Sequence, residues 1–288
     1  MTGLAVTEPV LAVHRSRKLI ADFRLHRPRS AAEAAAVKAE AGPGAVFMAG
    51  GIDIVNRMKF GAAIADLIHL GGVAGLDTIE ETAGGLRLGS LVTHDRLATS
   101  PVVRSLLPDL AQTWHDVANI RIRCKGTVGG NIMAGDPAYD FALAALAANA
   151  RLEFLGLDGR TRSVIAGTLG AASDEGLLTT ITLPSGASCR LVFDRSLRPI
   201  VTLALGFDLD GDRIAGGRVA IGCAYAAPLV TALPLGPLMP HQLAAIAQRV
   251  AQATLSQLPE PAGDRHATAA YRRRMIAVLL RRNLSALG

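Results

Sequence analysis

Two stretches decide how this chain is read: Ala45-Val46-Phe47-Met48-Ala49-Gly50-Gly51-Ile52-Asp53 and Gly126-Thr127-Val128-Gly129-Gly130-Asn131. In each, a Gly-Gly pair follows apolar residues and is followed by a short polar side chain, Asp53 or Asn131. Glycine reaches backbone angles closed to other residues, and without Cβ it lets a ligand approach the peptide N–H groups. Successive N–H groups turned the same way form an anion-binding concavity. Two such loops in one domain suit a ligand with two linked phosphates, such as the pyrophosphate of a dinucleotide. Neither loop has the spacing of a Rossmann fingerprint or a P-loop, so the common dinucleotide folds do not fit.

Working outward, Ala45–Met48 reads as a buried strand entering the first glycine pair, with a helix from Ile54 to Lys59 beyond it. Upstream, Asp22–Leu25 suggests a short strand, and Ser30-Ala31-Ala32-Glu33 a capping box that opens an alanine-rich helix ending at Gly42-Pro43-Gly44. Residues 65–70 and 85–90 are strand candidates. Thr93 and Ser100-Pro101 open helical stretches running to Val117, with a break at Pro108. Asp136-Pro137 reads as N-cap and N1 of an apolar, buried helix from Ala138 to Ala148. Beyond residue 151 come short strands at 151–155, 177–183, 189–193, 201–207 and 218–223, with a hairpin turn around Gly211. Two closing helices are expected at about 241–258 and 267–287, the second with Tyr271, Met275, Val278 and Leu279 on one face. The expected organisation is an extension over 1–20, a mixed α/β domain over 21–176 and a strands-then-helices domain over 177–288, an α+β chain overall.

Composition narrows the function. Half of the 288 residues are apolar but only 4% are aromatic, so the core is built from Ala, Leu, Val and Ile. No apolar run approaches the roughly 20 residues that span a bilayer, so the high mean hydropathy points to a large core or a permanent partner interface. A net charge of +6 could suggest nucleic acid, but the cations are scattered and lack stacking aromatics. The densest group, Arg272-Arg273-Arg274 with Arg281-Arg282, reads as a solvated face or interface rim. Cys124, Cys189 and Cys223 are far apart, which excludes a self-contained iron–sulfur or zinc site and fits a reducing compartment, the cytoplasm by default. The basic run His14–Lys18 has no apolar stretch after it and is no secretory signal.

The ordered motifs resemble the FAD-binding medium subunit of molybdenum hydroxylases, the family of carbon monoxide, nicotine and caffeine dehydrogenases and of the flavin domain of xanthine dehydrogenase. The resemblance is carried by Arg24–Ser30, by Ala49-Gly50-Gly51-Ile52-Asp53-Ile54 with Met58-Lys59, and by Leu88-Gly89-Ser90-Leu91-Val92-Thr93-His94. Ile122–Ile132, Asp136-Pro137-Ala138-Tyr139-Asp140 and Tyr271–Ile276 extend it, so it covers nearly everything after residue 20. It implies a PCMH-type FAD-binding domain of two subdomains followed by a small C-terminal domain. It implies that Ala49, Gly50, Gly51, Ile52 and Asp53, with Thr127, Val128, Gly129, Gly130 and Asn131, wrap the FAD pyrophosphate. Asp140 matches an aspartate that bonds ribityl or ribose hydroxyls, Val117 an adenine- or flavin-contacting position, and Leu178 another flavin contact. A family lysine of the C-terminal domain has no clear counterpart, and Arg195 is the nearest basic residue. Ile52 stands where Thr or Ser is usual and Cys124 where Asn is usual. Neither removes a glycine, so FAD is expected to be kept with altered affinity.

The resemblance also implies the setting. Substrate is oxidised at a molybdenum–pterin centre on a large partner chain, two [2Fe–2S] clusters on a small partner chain carry the electrons, and FAD here passes them to an external acceptor. Two copies each of three subunits are the family expectation. Two alternatives stand beside this one: a stand-alone FAD-dependent NAD(P)H oxidoreductase, and a flavin-free scaffold subunit. No residue is assigned as a catalytic acid or base, and His94 and His115 lack a partner pattern for it. Asp140 also fits a residue complementing a helix dipole. Asn131 fits a turn residue tolerating a left-handed conformation as well as a ligand donor.

Overall fold

The computed structural model of the chain describes residues 20–167, 176–196 and 200–287. The expected N-terminal extension, with its basic run at 14–18, lies outside the described residues save for Ile20. The fold is α+β, and the described residues form three sheets.

The first sheet is small and parallel, in the order β1 (Arg24–His26), β3 (Asp66–His69), β2 (Ala45–Met48). Helix α1 (Ala31–Ala41) joins β1 to β2 and α2 (Ile52–Lys59) joins β2 to β3. Ser30 caps α1 through the Glu33 amide. The reciprocal half of the expected capping box shifts by one residue, because Glu33 accepts from the Arg29 amide instead. Helix α2 begins two residues earlier than the sequence pattern suggests, directly on the glycine pair.

The second sheet is antiparallel, in the order β4 (Ile79–Thr82), β5 (Gly85–Gly89), β8 (Leu177–Leu183), β6 (Arg151–Leu155), β7 (Thr161–Ile165). Between β5 and β6 the chain makes a run of short helices: α3 (His94–Thr99), α4 (Pro101–Leu106), α5 (Pro108–Trp114), α6 (Ile120–Arg123), α7 (Val128–Met133) and α8 (Asp140–Ala147). Thr93 and Ser100 cap α3 and α4 as their positions predict. Their apolar faces and the sheet enclose the main core, around Trp114, Phe141 and Phe154. The division expected at residue 176 falls immediately before β8, the central strand of this sheet, which pairs with both β5 and β6. A chain cannot leave a domain where its next strand completes that domain's hydrogen-bond ladder.

The third sheet is antiparallel, in the order β12 (Leu229–Ala232), β11 (Arg213–Gly222), β10 (Thr202–Asp210), β9 (Cys189–Arg195). It is buried on both faces, and the period-2 alternation sorts its residues by size. Leu203, Leu205, Phe207, Val219 and Ile221 face a second core beneath α9 (Leu243–Gln257) and α10 (Ala269–Ala286). On the other face Ala204 and Ala220 join the main core, and Gly206 lies so near α8 that an added Cβ would stand 1.9 Å from the Ala147 carbonyl. Small residues here let α8 nest against the sheet.

Three helix expectations need correction. Helix α8 starts at Asp140, with Tyr139 as N-cap, because the Asp136 carboxylate accepts the Ala138 amide at 2.8 Å and closes a turn before the helix. The second glycine stretch is not a loop but the first turns of α7. The buried face of α10 carries Arg272, Ile276, Leu279, Leu280, Asn283 and Leu284, while Tyr271 is exposed. Two polar residues turn inward because each is bonded there: Arg272 to the Cys223 carbonyl, Asn283 to Asp194. The arginine cluster is therefore not simply a solvated face.

Candidate functional site

Strand β2 delivers the chain to Gly50 and Gly51 at the N-terminus of α2. Gly51 adopts φ 78° and caps the helix with no side-chain hydrogen bond. The helical ladder opens with the Val55 amide donating to the Gly51 carbonyl at 3.1 Å. Among the described residues, the amides of Gly50, Gly51, Ile52 and Asp53 donate to no protein acceptor. A helix begun this way presents unmet N–H groups at the positive end of its dipole, which is the physical basis of anion binding at such termini. Ile52 contributes an amide but no hydroxyl. The Asp53 side chain turns away, accepting from Arg57 at 2.6 Å and from the Tyr139 hydroxyl at 3.3 Å. Arg57 in turn donates to the Ala134 carbonyl at 2.6 Å, tying α2 to the segment before α8.

The second glycine stretch lies alongside the first. An added Cβ on Gly50 would stand 1.5 Å from the Lys125 carbonyl oxygen, and Ala49 lies against Gly130. The stretch itself offers little to an anion. Thr127 caps α7 by accepting the Gly130 amide at 3.0 Å, while the Val128 and Gly129 amides donate to the Val92 and Ser90 carbonyls at 2.9 and 3.0 Å. The first stretch has four free amides in a row, whereas in the second only the Thr127 amide donates to no acceptor among the described residues. The second is a backing wall, and Gly50 permits contact between peptide backbones.

Asn131 sits within α7, so the left-handed turn reading does not hold. Its Oδ1 accepts the Ala142 amide at 3.0 Å, capping α8 in place of its own N-cap residue. Its Nδ2 lies 3.5 Å from His94, which is buried beside Trp114 and neutral, burial pushing its pKa down to about 4. The helix held by Asn131 opens with Asp140. That carboxylate is 13% exposed and accepts no hydrogen bond from the described residues, its nearest cation being Arg195 at 3.8 Å. Burial pushes its pKa up to about 6 against the opposing pull of Arg195. At N1 the helix dipole favours a carboxylate, so here desolvation outweighs it. Arg195 also donates to the Asp116 carbonyl at 2.7 Å.

Val117 and Leu178 are not brought to this surface as side chains. They are 4% and 3% exposed and pack in the main core, and Arg123 donates to the Val117 carbonyl at 3.2 Å. Sequence reasoning missed Tyr139, Arg57 and Cys223. The amide of Cys223 donates to the Pro137 carbonyl at 2.9 Å, a link between distant segments that leaves no local signal. Among the described residues no group of three or more His, Cys, Asp or Glu stands close enough to hold a metal. No described helix is long and apolar enough to cross a membrane.

These residues fit FAD on two counts. The uncapped first turn of α2 would offer N–H donors to a pyrophosphate, and a sugar or ribityl hydroxyl would give desolvated Asp140 the bond that a buried carboxylate otherwise lacks. The comparisons agree. Residues 21–186 match the family model described as the FAD binding domain in molybdopterin dehydrogenase. The nicotine 6-hydroxylase medium subunit of Paenarthrobacter nicotinovorans is 29% identical over 261 residues, covering 84% of this chain and 89% of that one. The carbon monoxide dehydrogenase medium chain of Afipia carboxidovorans is 28% identical over 276 residues, covering 90% and 94%. In fold, the chain is similar to the crystal structure of quinoline 2-oxidoreductase from Pseudomonas putida 86, with TM-score 0.81, 24% identity and coverage of 93% and 98%. The chain belongs to the FAD-binding family of the molybdopterin dehydrogenases, as a medium, flavoprotein subunit of a molybdenum-containing oxidoreductase.

Proposed function

We propose that this chain is the electron-transfer subunit of a multi-subunit molybdenum hydroxylase or dehydrogenase, working in the cytoplasm between a small [2Fe–2S] partner and an external acceptor. A large partner carrying the molybdenum–pterin centre oxidises the substrate. The uncapped N-terminus of α2 carries the reading, since it is a row of unmet donors placed where two backbones meet. The amides of Gly50, Gly51, Ile52 and Asp53 hold the pyrophosphate, backed by Thr127, Val128, Gly129, Gly130 and Ala49. Asp140, kept in place by Asn131 and faced by Arg195, accepts a cofactor hydroxyl. Val117 and Leu178 act from the core, shaping the wall behind the site. Bound FAD supplies one- and two-electron chemistry of its own, and the protein's share is binding, orientation and electrostatics. On this reading the two domains join within residues 184–188, a division supported by β8 ending at Leu183 and β9 beginning at Cys189.

An absorption spectrum of the purified chain, followed by heat release and chromatography of any yellow cofactor, tests this reading. Released FAD together with molybdenum and iron in the co-purifying complex is the expected result. FAD without either metal would favour a stand-alone oxidoreductase. A colourless chain that takes up no added FAD would leave only a scaffold.

A further inference from the structure

The N-terminus of α8 is flanked by Cys223, just past the end of β11, and by Arg195, at the end of β9, and the C-terminal helix bonds Cys223 and Asp194, the residue before Arg195. Cys223 adopts φ 63°, a left-handed conformation that side chains other than Gly, Asn and Asp seldom take. Its amide donates to the Pro137 carbonyl at 2.9 Å, and its carbonyl accepts from Arg272 Nη1 at 2.7 Å. Arg272 is 6% exposed, its Nη2 donates to Asp264 at 2.6 Å and its buried Nε has no partner among the described residues. Asp264 is fixed in its turn by the amides of His266 and Ala267, which hold its carboxyl down at about 2. At the far end of α10, Arg282 and Asn283 bond Asp194, the neighbour of Arg195. Burying a guanidinium with one donor unmet is costly, and leucine at this position would pack more cheaply. Strain of the kind seen at Cys223 persists only where the surroundings over-determine it. Three contacts restrain Cys223: its amide on Pro137, its Sγ 3.8 Å from the Thr202 hydroxyl, and Arg272 on its carbonyl, the shortest of them.

We propose that Arg272 is a positioning residue for the flavin site. It locks Cys223 in the left-handed conformation, the Cys223 amide pins Pro137, and the first turn of α8 then presents Asp140 beside Arg195. This inference rests on the reading of Asp140 as a cofactor contact.

The test uses the full chain as Arg272→Met, Arg272→Lys, and Arg272→Met combined with Cys223→Gly. Hydrogen exchange at the Cys223 amide and FAD affinity of the apo-chain are measured for each. Arg272→Met should lose protection at Cys223 and bind FAD about tenfold more weakly, the scale of one left-handed residue released from its restraint. Arg272→Lys keeps one donor for the Cys223 carbonyl and should retain most of both properties. Cys223→Gly should restore both in the Met background, since glycine holds this φ without strain. Unchanged protection and affinity in Arg272→Met would overturn the proposal. So would a double variant as weak as the single one, which would make Arg272 a packing residue only. If Arg272→Met loses protection while Asp140→Asn binds FAD normally, the Asp140 reading fails and the clamp on Pro137 stands.

Discussion

Replacing Asp140 by Asn should stabilise the flavin-free chain at neutral pH while weakening its hold on FAD. Burial raises this carboxyl from 3.8 to about 6. At pH 7 the folded chain therefore carries a charge it would rather not hold, at a cost of about 3 kcal/mol by the usual conversion of about 1.4 kcal/mol per unit. The pull of the α8 dipole on a carboxylate at N1 is already contained in that raised pKa. The expected gain is therefore about 3 kcal/mol, or roughly 6–12 °C in the unfolding midpoint. Because the folded pKa lies above the unfolded one, the native state binds more protons between them. Wild-type stability thus falls as pH rises from about 4 to 6. Thermal unfolding of both apo-chains from pH 4 to 8 should show midpoints that coincide near pH 4, diverge through the interval and stay apart above it. FAD titration should show a loss of about 10- to 100-fold, the worth of a hydrogen bond to a charged acceptor. A difference in midpoint independent of pH would refute the desolvation argument. Stabilisation with unchanged FAD affinity would refute the role in binding.

Gly50→Ala should force the two backbones apart, since its Cβ would stand 1.5 Å from the Lys125 carbonyl, a contact that no side-chain rotation relieves; circular dichroism melts should show a loss of about 3 kcal/mol or more, and a melt like wild type would mean the loops do not touch. Gly130→Val meets Thr127 Oγ1 at 2.9 Å and fills the space beside Ala49; flavin content should fall while the far-ultraviolet spectrum stays native, and full occupancy would remove this glycine from the site. Asn131→Ala leaves the Ala142 amide unmet and should cost about 1 kcal/mol in urea unfolding, in line with loss of a helix cap; an unchanged midpoint would mean that another group caps α8.

Much of the fold was legible because it is written locally. Ser30, Thr93 and Ser100-Pro101 mark helix starts by chemistry that acts within three residues. The strands around β2, β6, β8 and β10 announce themselves by apolar runs. The elements that escaped are short or polar: β4 with Glu80 and Glu81, β7 with one apolar pair, β12 with four residues, and α6, a single turn. Helix α7 escaped because Gly129 and Gly130 argue against a helix in isolation, and the carbonyls of Ser90 and Val92 add to the Thr127 cap in making its first turn favourable.

The site divides in the same way. The sequence by itself determined that two glycine pairs, an aspartate after Pro137-Ala138-Tyr139 and a family-like order of motifs run through one chain, because glycine and proline constrain the backbone wherever they stand. Only the tertiary structure decided how many amides each glycine stretch has to offer, since that depends on the carbonyls of Ser90 and Val92, just beyond the end of β5. It alone decided that Asp140 is desolvated, because burial is a property of α8 meeting the third sheet and not of the residue. It alone set Cys223 left-handed and turned Arg272 inward, since the bonds joining them to Pro137 and Asp264 connect segments of the chain that carry no local sign of one another.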